Sequence, residues 1–234
     1  GKSVFVEKPI SMNEDDAKEM INASKRNNVE LMVGHLLQYH PIFISLLSMC
    51  DSGELGELKY IYSNRLSLGK IRSNEDVIWS FAPHDISMIL ALAKCEPDKV
   101  VTHGSSSIQK NINDIATIHI DFPSGLKSHV LVSWINPYKE HKLIVIGNKS
   151  MAVFDDTKPW AEKLAIYKHT IEIKDIPPKI DKADVMYFDV PESEPLRNEC
   201  SHFIDVVNNS KKPLTDGEEG LRVLKVLSRA SKNN

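Results

Sequence analysis

Several signals are scarce or missing in these 234 residues. Cysteine occurs three times, as Cys50, Cys95 and Cys200, widely spaced and without a C-x-x-C pair. That pattern gives no disulfide framework and fits reduced, mostly buried thiols in a cytoplasmic protein. No apolar run approaches membrane length, and no secretory signal is visible. Net charge is −3 and the pI is near 6.3. With no basic run and no interleaving of aromatic and basic residues, nothing points to nucleic acid. A Gly-x-Gly-x-x-Gly turn is absent, and so is the phosphate cradle it builds. No internal repeat or low-complexity stretch occurs.

What is present supports one or two globular domains, since 41% of the residues are hydrophobic and 26% charged. The chain opens with a short apolar run, Val4–Val6, that leads into Glu7-Lys8-Pro9. Proline fixes φ and has no N–H, so it ends the strand and leaves Lys8 at its carboxyl end. In open α/β sheets that end is where ligands bind. A lysine that loses water there has its pKa lowered and becomes useful in proton chemistry. The plain alternative is a solvated loop charge. The Lys8–Pro9 turn is also a candidate for a cis peptide.

Asn13 is placed to cap a helix whose first turn holds Glu14, Asp15 and Asp16, where the helix dipole favours acids. Ala17, Met20, Ile21 and Ser24 share a face of that helix. A second apolar strand, Glu30–Gly34, precedes His35. Two short strands around an amphipathic helix predict a parallel β-α-β crossover. One such unit does not make a stable parallel sheet. The expectation is therefore the tail of a doubly wound domain whose earlier units precede Gly1.

From Tyr39 the pattern changes. His40-Pro41 starts a helix that Asp51-Ser52-Gly53 ends. Leu58–Leu68 alternates as a long strand, with Ile61, Ser63 and Arg65 on one side and Tyr60, Tyr62 and Asn64 on the other. Pro83 suits a first helical position, which puts His84 and Asp85 in the first turn. Strands are predicted over 100–108, 115–122, 126–135, 142–146, 151–155 and 164–168. Short turns separate them, at Asn111–Asp114, Pro123-Ser124-Gly125, Asn136-Pro137 and Gly147-Asn148. Such runs form an antiparallel sheet. The Pro123-Ser124-Gly125 turn sets His119 opposite His129, an ordinary sheet pair and no metal site. Residues 170–192 read as an extended excursion. Leu196, Cys200, Phe203, Ile204 and Val207 form an apolar helix face. Thr215 and Glu218 fit a capping box for a last helix.

The order Glu7-Lys8-Pro9, Gly34-His35, Pro83-His84-Asp85 and then a long antiparallel sheet resembles one family. It is the glucose-fructose oxidoreductase / inositol dehydrogenase family of NAD(P)-dependent sugar oxidoreductases, in its C-terminal two-thirds. Arg65–Arg72, Trp79–Asp85, Ser133–Pro137 and Glu194–Arg197 resemble its nucleotide-sugar branch, typified by UDP-N-acetylglucosaminuronate 3-dehydrogenases. The resemblance implies a fold that is α/β, then α+β. Residues 1–37 would be the end of a Rossmann domain. Residues 38–212 would be a substrate domain with helices on one face of its sheet. Residues 213–234 would be a helix packing back on the first part.

The resemblance also implies roles. Lys8 and His84 would be catalytic. Glu7, Lys8, Pro9 and His35 would touch NAD or NADP, and Tyr39, Arg65, Arg72 and Trp134 the sugar or nucleotide sugar. No metal is implied. The sheet's open face would join copies into a homo-oligomer, and the chain by itself would lack the dinucleotide half and be inactive. Two positions depart from the pattern: Ser80 stands where many relatives have Asp, and Gln38 where many have Arg. A place at the helix start would favour a neutral His84 and adjacent Asp85 would push the other way, so the sequence does not set the net shift. Two other readings remain open. One is a non-catalytic sugar-binding or assembly domain. The other is a relative acting on inositol-like or simple sugars.

Overall fold

The computed structural model describes residues 1–172, 176–209 and 211–232. Part of the expected 170–192 excursion (residues 173–175), residue 210, and residues 233 and 234 of the expected last segment lie outside it. The first layer is small. Strand β1 (Val4–Glu7) pairs in parallel with β2 (Leu31–Gly34), joined by helix α1 (Glu14–Arg26). Asn13 caps α1, its side chain accepting from Asp16 N–H at 2.9 Å. The Lys8–Pro9 peptide is cis.

Helix α2 (Pro41–Asp51) follows, with His40 as its cap. Then comes β3 (Leu58–Leu68), helix α3 (Val77–Ala93), and strands β4 (Lys99–Ser105), β5 (Ile115–Asp121), β6 (Lys127–Ser133), β7 (Ile135–Gly147), β8 (Met151–Asp155) and β9 (Leu164–Tyr167). Within 170–192, β10 (Thr170–Glu172) pairs with β11 (Lys179–Asp181), and β12 (Val185–Tyr187) joins the edge of the main sheet. The order of that eight-stranded sheet is β12-β9-β8-β7-β3-β6-β5-β4. It is antiparallel except where β3 meets β6. The expected register of His119 opposite His129 is present. The turn expected at Asn136-Pro137 is not: both residues lie inside β7, which starts two residues after β6 ends.

One face of the sheet carries the core. Ile61, Ile118, Val130, Val132, Val145 and Phe154 are sealed there with Ile42 and Leu46 of α2, Ile78 and Ile86 of α3, and Val226 and Leu227 of helix α5 (Gly217–Lys232). Each fully buried aliphatic side chain contributes about 1.5–3 kcal/mol. The other face is partly open, with Tyr60, Tyr62 and His129 in mutual ring contact. Helix α5 also covers the small layer. Leu221 and Leu224 pack with Ile10, Ile21 and Val33. A Cβ on Gly220 would stand 2.7 Å from Val33 Cγ2, so only glycine permits this approach.

Three expectations about the helices fail, each for a visible reason. Helix α3 begins at Val77, because the Asp76 side chain accepts from Ile78 and Trp79 N–H and caps it; Pro83 is therefore internal. The cap of α5 is Asp216, which accepts from Glu219 N–H at 2.9 Å, while Thr215 donates instead to Val33 O of β2. In helix α4 (Pro195–Asn209) the apolar face stays largely outside, with Leu196, Cys200, Ile204 and Val207 exposed. Cys50 and Cys95 are half-buried, so no cysteine is fully enclosed.

Candidate active site

Lys8 leaves the end of β1 half-buried and reaches helix α3, where its ammonium donates to Ser80 O at 2.9 Å. One helical turn further on is His84. Burial lowers the Lys8 pKa, partly opposed by Glu75 and Glu7 and assisted by Arg72 and Arg65. Those four charges therefore surround the same amine. The loop after β3 supplies Arg72 and Glu75, which pair with each other at 2.9 Å near the surface.

The His84 imidazole has its Nδ1 sealed from water without a hydrogen-bond partner among the described residues. Its pKa lies well below the ordinary value, first through burial, then through the nearby charges of Arg65, Lys8, His35 and His141. The dipole account fails, because His84 is the eighth residue of α3 and not in its first turn. Asp85 does not act on His84 either. Its carboxylate is 1% exposed and turned to β3, where it accepts from Arg65 Nε at 2.6 Å, from Arg65 Nη2 at 3.2 Å, and from the Ser63 hydroxyl. A bidentate, hydrogen-bonded pair of this kind is what makes a buried charge tolerable.

Arg65 is thus brought beside the candidate base, but two of its N–H groups are already taken. His141 was not singled out from the sequence. It is the Cα partner of Arg65 across β3 and β7. Directly opposed residues of an antiparallel pair point the same way, so His141 also faces the helices. Burial and the charges of Arg65 and Lys139 lower its pKa to about 4, against smaller opposing effects of Asp85 and Asp156. The signal for it was hidden, since the strand carrying it was expected to begin only at Lys142.

At the end of β2, His35 is buried and lies 3.4 Å from Glu219 of α5, without the alignment of a hydrogen bond. The other Glu219 oxygen accepts from Gln38 Nε2 at 2.6 Å and from Ser87 Oγ at 3.0 Å. Gln38 also reaches Ser87 at 2.6 Å. Gln38 is therefore a tie between the layers, and the acceptor Glu219 was likewise missed from the sequence.

Two expected sugar contacts are placed elsewhere. Tyr39 is buried, its hydroxyl 2.9 Å from Thr215 Oγ1, and burial pushes its pKa up to about 12. Trp134 is fully enclosed in the core and donates its indole N–H to Asp114 at 2.7 Å. Neither presents a face to a ligand. Arg72 is half-exposed and near Lys8, as described. Glu7 is exposed at the strand end, and Pro9 half-buried. Among the described residues no group of three or more His, Cys, Asp or Glu could hold a metal. No described helix is long and apolar enough to cross a membrane.

Comparison with known proteins agrees with this architecture. The UDP-N-acetylglucosamine 3-dehydrogenase of Acidithiobacillus ferrooxidans is 24% identical over 96% of this chain and 68% of its own length. Its crystal structure superposes with a TM-score of 0.81 at 21% identity, covering 99% of this chain and 70% of that one. Inositol 2-dehydrogenase of Rhizobium meliloti is 22% identical over 96% of this chain and 68% of its length. The WlbA dehydrogenase of Bordetella pertussis, solved with NADH and UDP-GlcNAcA, shares the fold. Its TM-score is 0.75 at 16% identity, over 100% of this chain and 69% of that one. The chain thus spans a little over two thirds of these relatives. Residues 43–153, a little under half of the chain, match the GFO/IDH/MocA C-terminal domain.

Proposed function

We propose that this chain supplies the sugar-binding and proton-handling residues of an NAD(P)-dependent dehydrogenase. Its substrate would be a secondary hydroxyl of a nucleotide-linked amino sugar destined for surface polysaccharide. The observation that carries this reading is the meeting of two elements far apart in sequence. Lys8 of β1 docks on the carbonyl of Ser80, one turn before an imidazole kept uncharged. Relatives named for UDP-sugar and inositol oxidation, and a structural neighbour holding NADH, support the class of reaction.

The residues fit a nicotinamide. His84 Nδ1 and both ring nitrogens of His35 are sealed without partners among the described residues. Buried polar atoms left in that state suit a polar ligand. Glu7, Lys8, Pro9 and His35 would hold the nicotinamide end. When bound, that group accepts the hydride. His84, neutral near pH 7, takes the hydroxyl proton on a ring nitrogen, and no hydrogen bond among the described residues occupies either one. Lys8 turns a donor N–H toward the oxygen as negative charge develops on it, the kind of electrostatic help that outweighs most other terms. With Ser80 in place of an acid, His84 and Lys8 handle this proton between them.

The test is nicotinamide reduction, by the chain carrying the dinucleotide-binding half that the resemblance implies, with UDP-N-acetylglucosamine, its uronate and inositol. His84→Asn should lower turnover roughly 10²–10⁴-fold while substrate still binds. Unchanged turnover would remove the role of His84, and sugar binding without any nicotinamide reduction would favour a non-catalytic sugar-binding domain. The open face of the large sheet, with its Tyr60, Tyr62 and His129 cluster, is our proposed contact between copies of the chain. Sedimentation of wild type and Tyr62→Glu tests it, the variant dissociating if the face is used.

A further inference from the structure

We propose that His141 contacts the substrate and recognises the hydroxyl next to the one oxidised, and that the Asp85–Arg65 pair fixes this pocket for an uncharged, diol-bearing ring over a carboxylated one. This builds on the dehydrogenase reading and narrows its substrate. Three observations lead to it.

First, the cation best placed for a carboxylate is already engaged. Arg65 sends Nε and Nη2 to Asp85, whose carboxylate also accepts from Ser63. The Asp85 carboxylate already offsets the Arg65 charge, so a ligand carboxylate on the remaining N–H groups would set a second anion beside a buried one. Of the other cations, Arg72 is paired with Glu75, Lys8 donates to Ser80 O and is assigned to the developing alkoxide in the reading above, and Lys139 acts on His141 from the exposed part of β7.

Second, His141 and His84 approach the same region from opposite sides. Strand register sets His141 beside Arg65 on the helix-covered side, and Asp85, the clamp on Arg65, adjoins His84 in α3. Each imidazole lies within reach of the Arg65 charge, and His84 also feels His141.

Third, both rings are uncommitted. Among the described residues no side-chain hydrogen bond is made by His141, and His84 Nδ1 is buried with no partner. A neutral imidazole has one donor and one acceptor nitrogen. Two such rings match two neighbouring hydroxyls, each of which both donates and accepts. They match a carboxylate poorly, since a carboxylate only accepts.

The experiment uses the chain carrying the dinucleotide-binding half that the resemblance implies, with histidine ring carbons labelled. UDP-N-acetylglucosamine, its uronate and an analogue deoxygenated beside the oxidised carbon are titrated with NADH present, and steady-state rates are measured with NAD. The neutral sugar should bind more tightly than the uronate and shift the His141 ring resonance. His141→Ala should weaken binding of the neutral sugar roughly tenfold, the scale of one lost hydrogen bond to a neutral group. The loss should fall on KM more than on kcat. The deoxy analogue should lose nothing further in that variant, and His141→Gln should recover part of the affinity. Tighter binding of the uronate, or unaltered affinity in His141→Ala, would overturn the proposal. If the sugar binds and shifts His141 without any nicotinamide reduction, the dehydrogenase reading fails while the His141 assignment stands. If none of the three ligands binds, both fall.

Discussion

Two buried carboxyl groups sit in different parts of this molecule under opposite conditions. Asp85, between α3 and β3, is 1% exposed and holds Arg65 and Ser63. Glu199, on α4 near the end of β1, is 2% exposed, and its Oε1 has no partner among the described residues. Burial, with a contribution from Glu7, raises the Glu199 pKa from its ordinary 4.5 to about 7. The same functional group is thus given a cation and a hydroxyl in one place and left without either in the other. Enclosure alone does not decide the charge; the partner does.

Breaking the Asp85 side of this comparison should have the largest effect. Asp85→Ala leaves the partly buried Arg65 without its counter-ion and should cost about 3–5 kcal/mol, read as a lowered urea midpoint. The Glu199 side should appear as pH dependence. Its folded pKa is raised, so between about pH 4.5 and 7 the folded form binds the proton and the unfolded form does not. Stability from this group is full below the lower value and falls as pH rises toward 7, by roughly 3 kcal/mol in all. Urea titrations at pH 5 and pH 7.5 measure it, and Glu199→Gln should flatten the difference. A smaller effect tests packing without charge. Gly220→Ala pushes a methyl group against Val33 and should cost about 1–3 kcal/mol. Least affected should be Tyr62→Ala on the open face, within about 1 kcal/mol in an isolated chain, checked by thermal unfolding at low protein concentration.

Much of the framework was legible in the sequence. Strand β3 was expected over its observed span because tyrosine and asparagine alternate with isoleucine, serine and arginine. The cap at Asn13 followed from a local rule. Of the candidate site, Lys8 and His84 were named from the sequence, and the structure sets Lys8 one helical turn from His84. What stayed hidden depends on contacts between elements. Nothing local to Asp85 says that it turns to Arg65, because that pairing exists only once α3 lies on β3. Pro83 drew attention as a helix opener, although Asp76 offers the same capping chemistry as Asn13. His141 was obscured because Asn136-Pro137 reads as a turn and shortens β7. Trp134 and Tyr39 were expected at the sugar through the resemblance, which says nothing of the burial that encloses both.

Helix α5 gives this fold an order of events. Of the described elements it is the last to be synthesised, yet its Glu219 joins Gln38 and Ser87 and lies beside His35. A nascent chain can form β1, β2 and α3 early, but on the ribosome they lack the acceptor that ties them together. The contact of Lys8 with α3 can therefore reach its final setting only after α5 has emerged, so a nascent chain would be open to proteases around this candidate site until then.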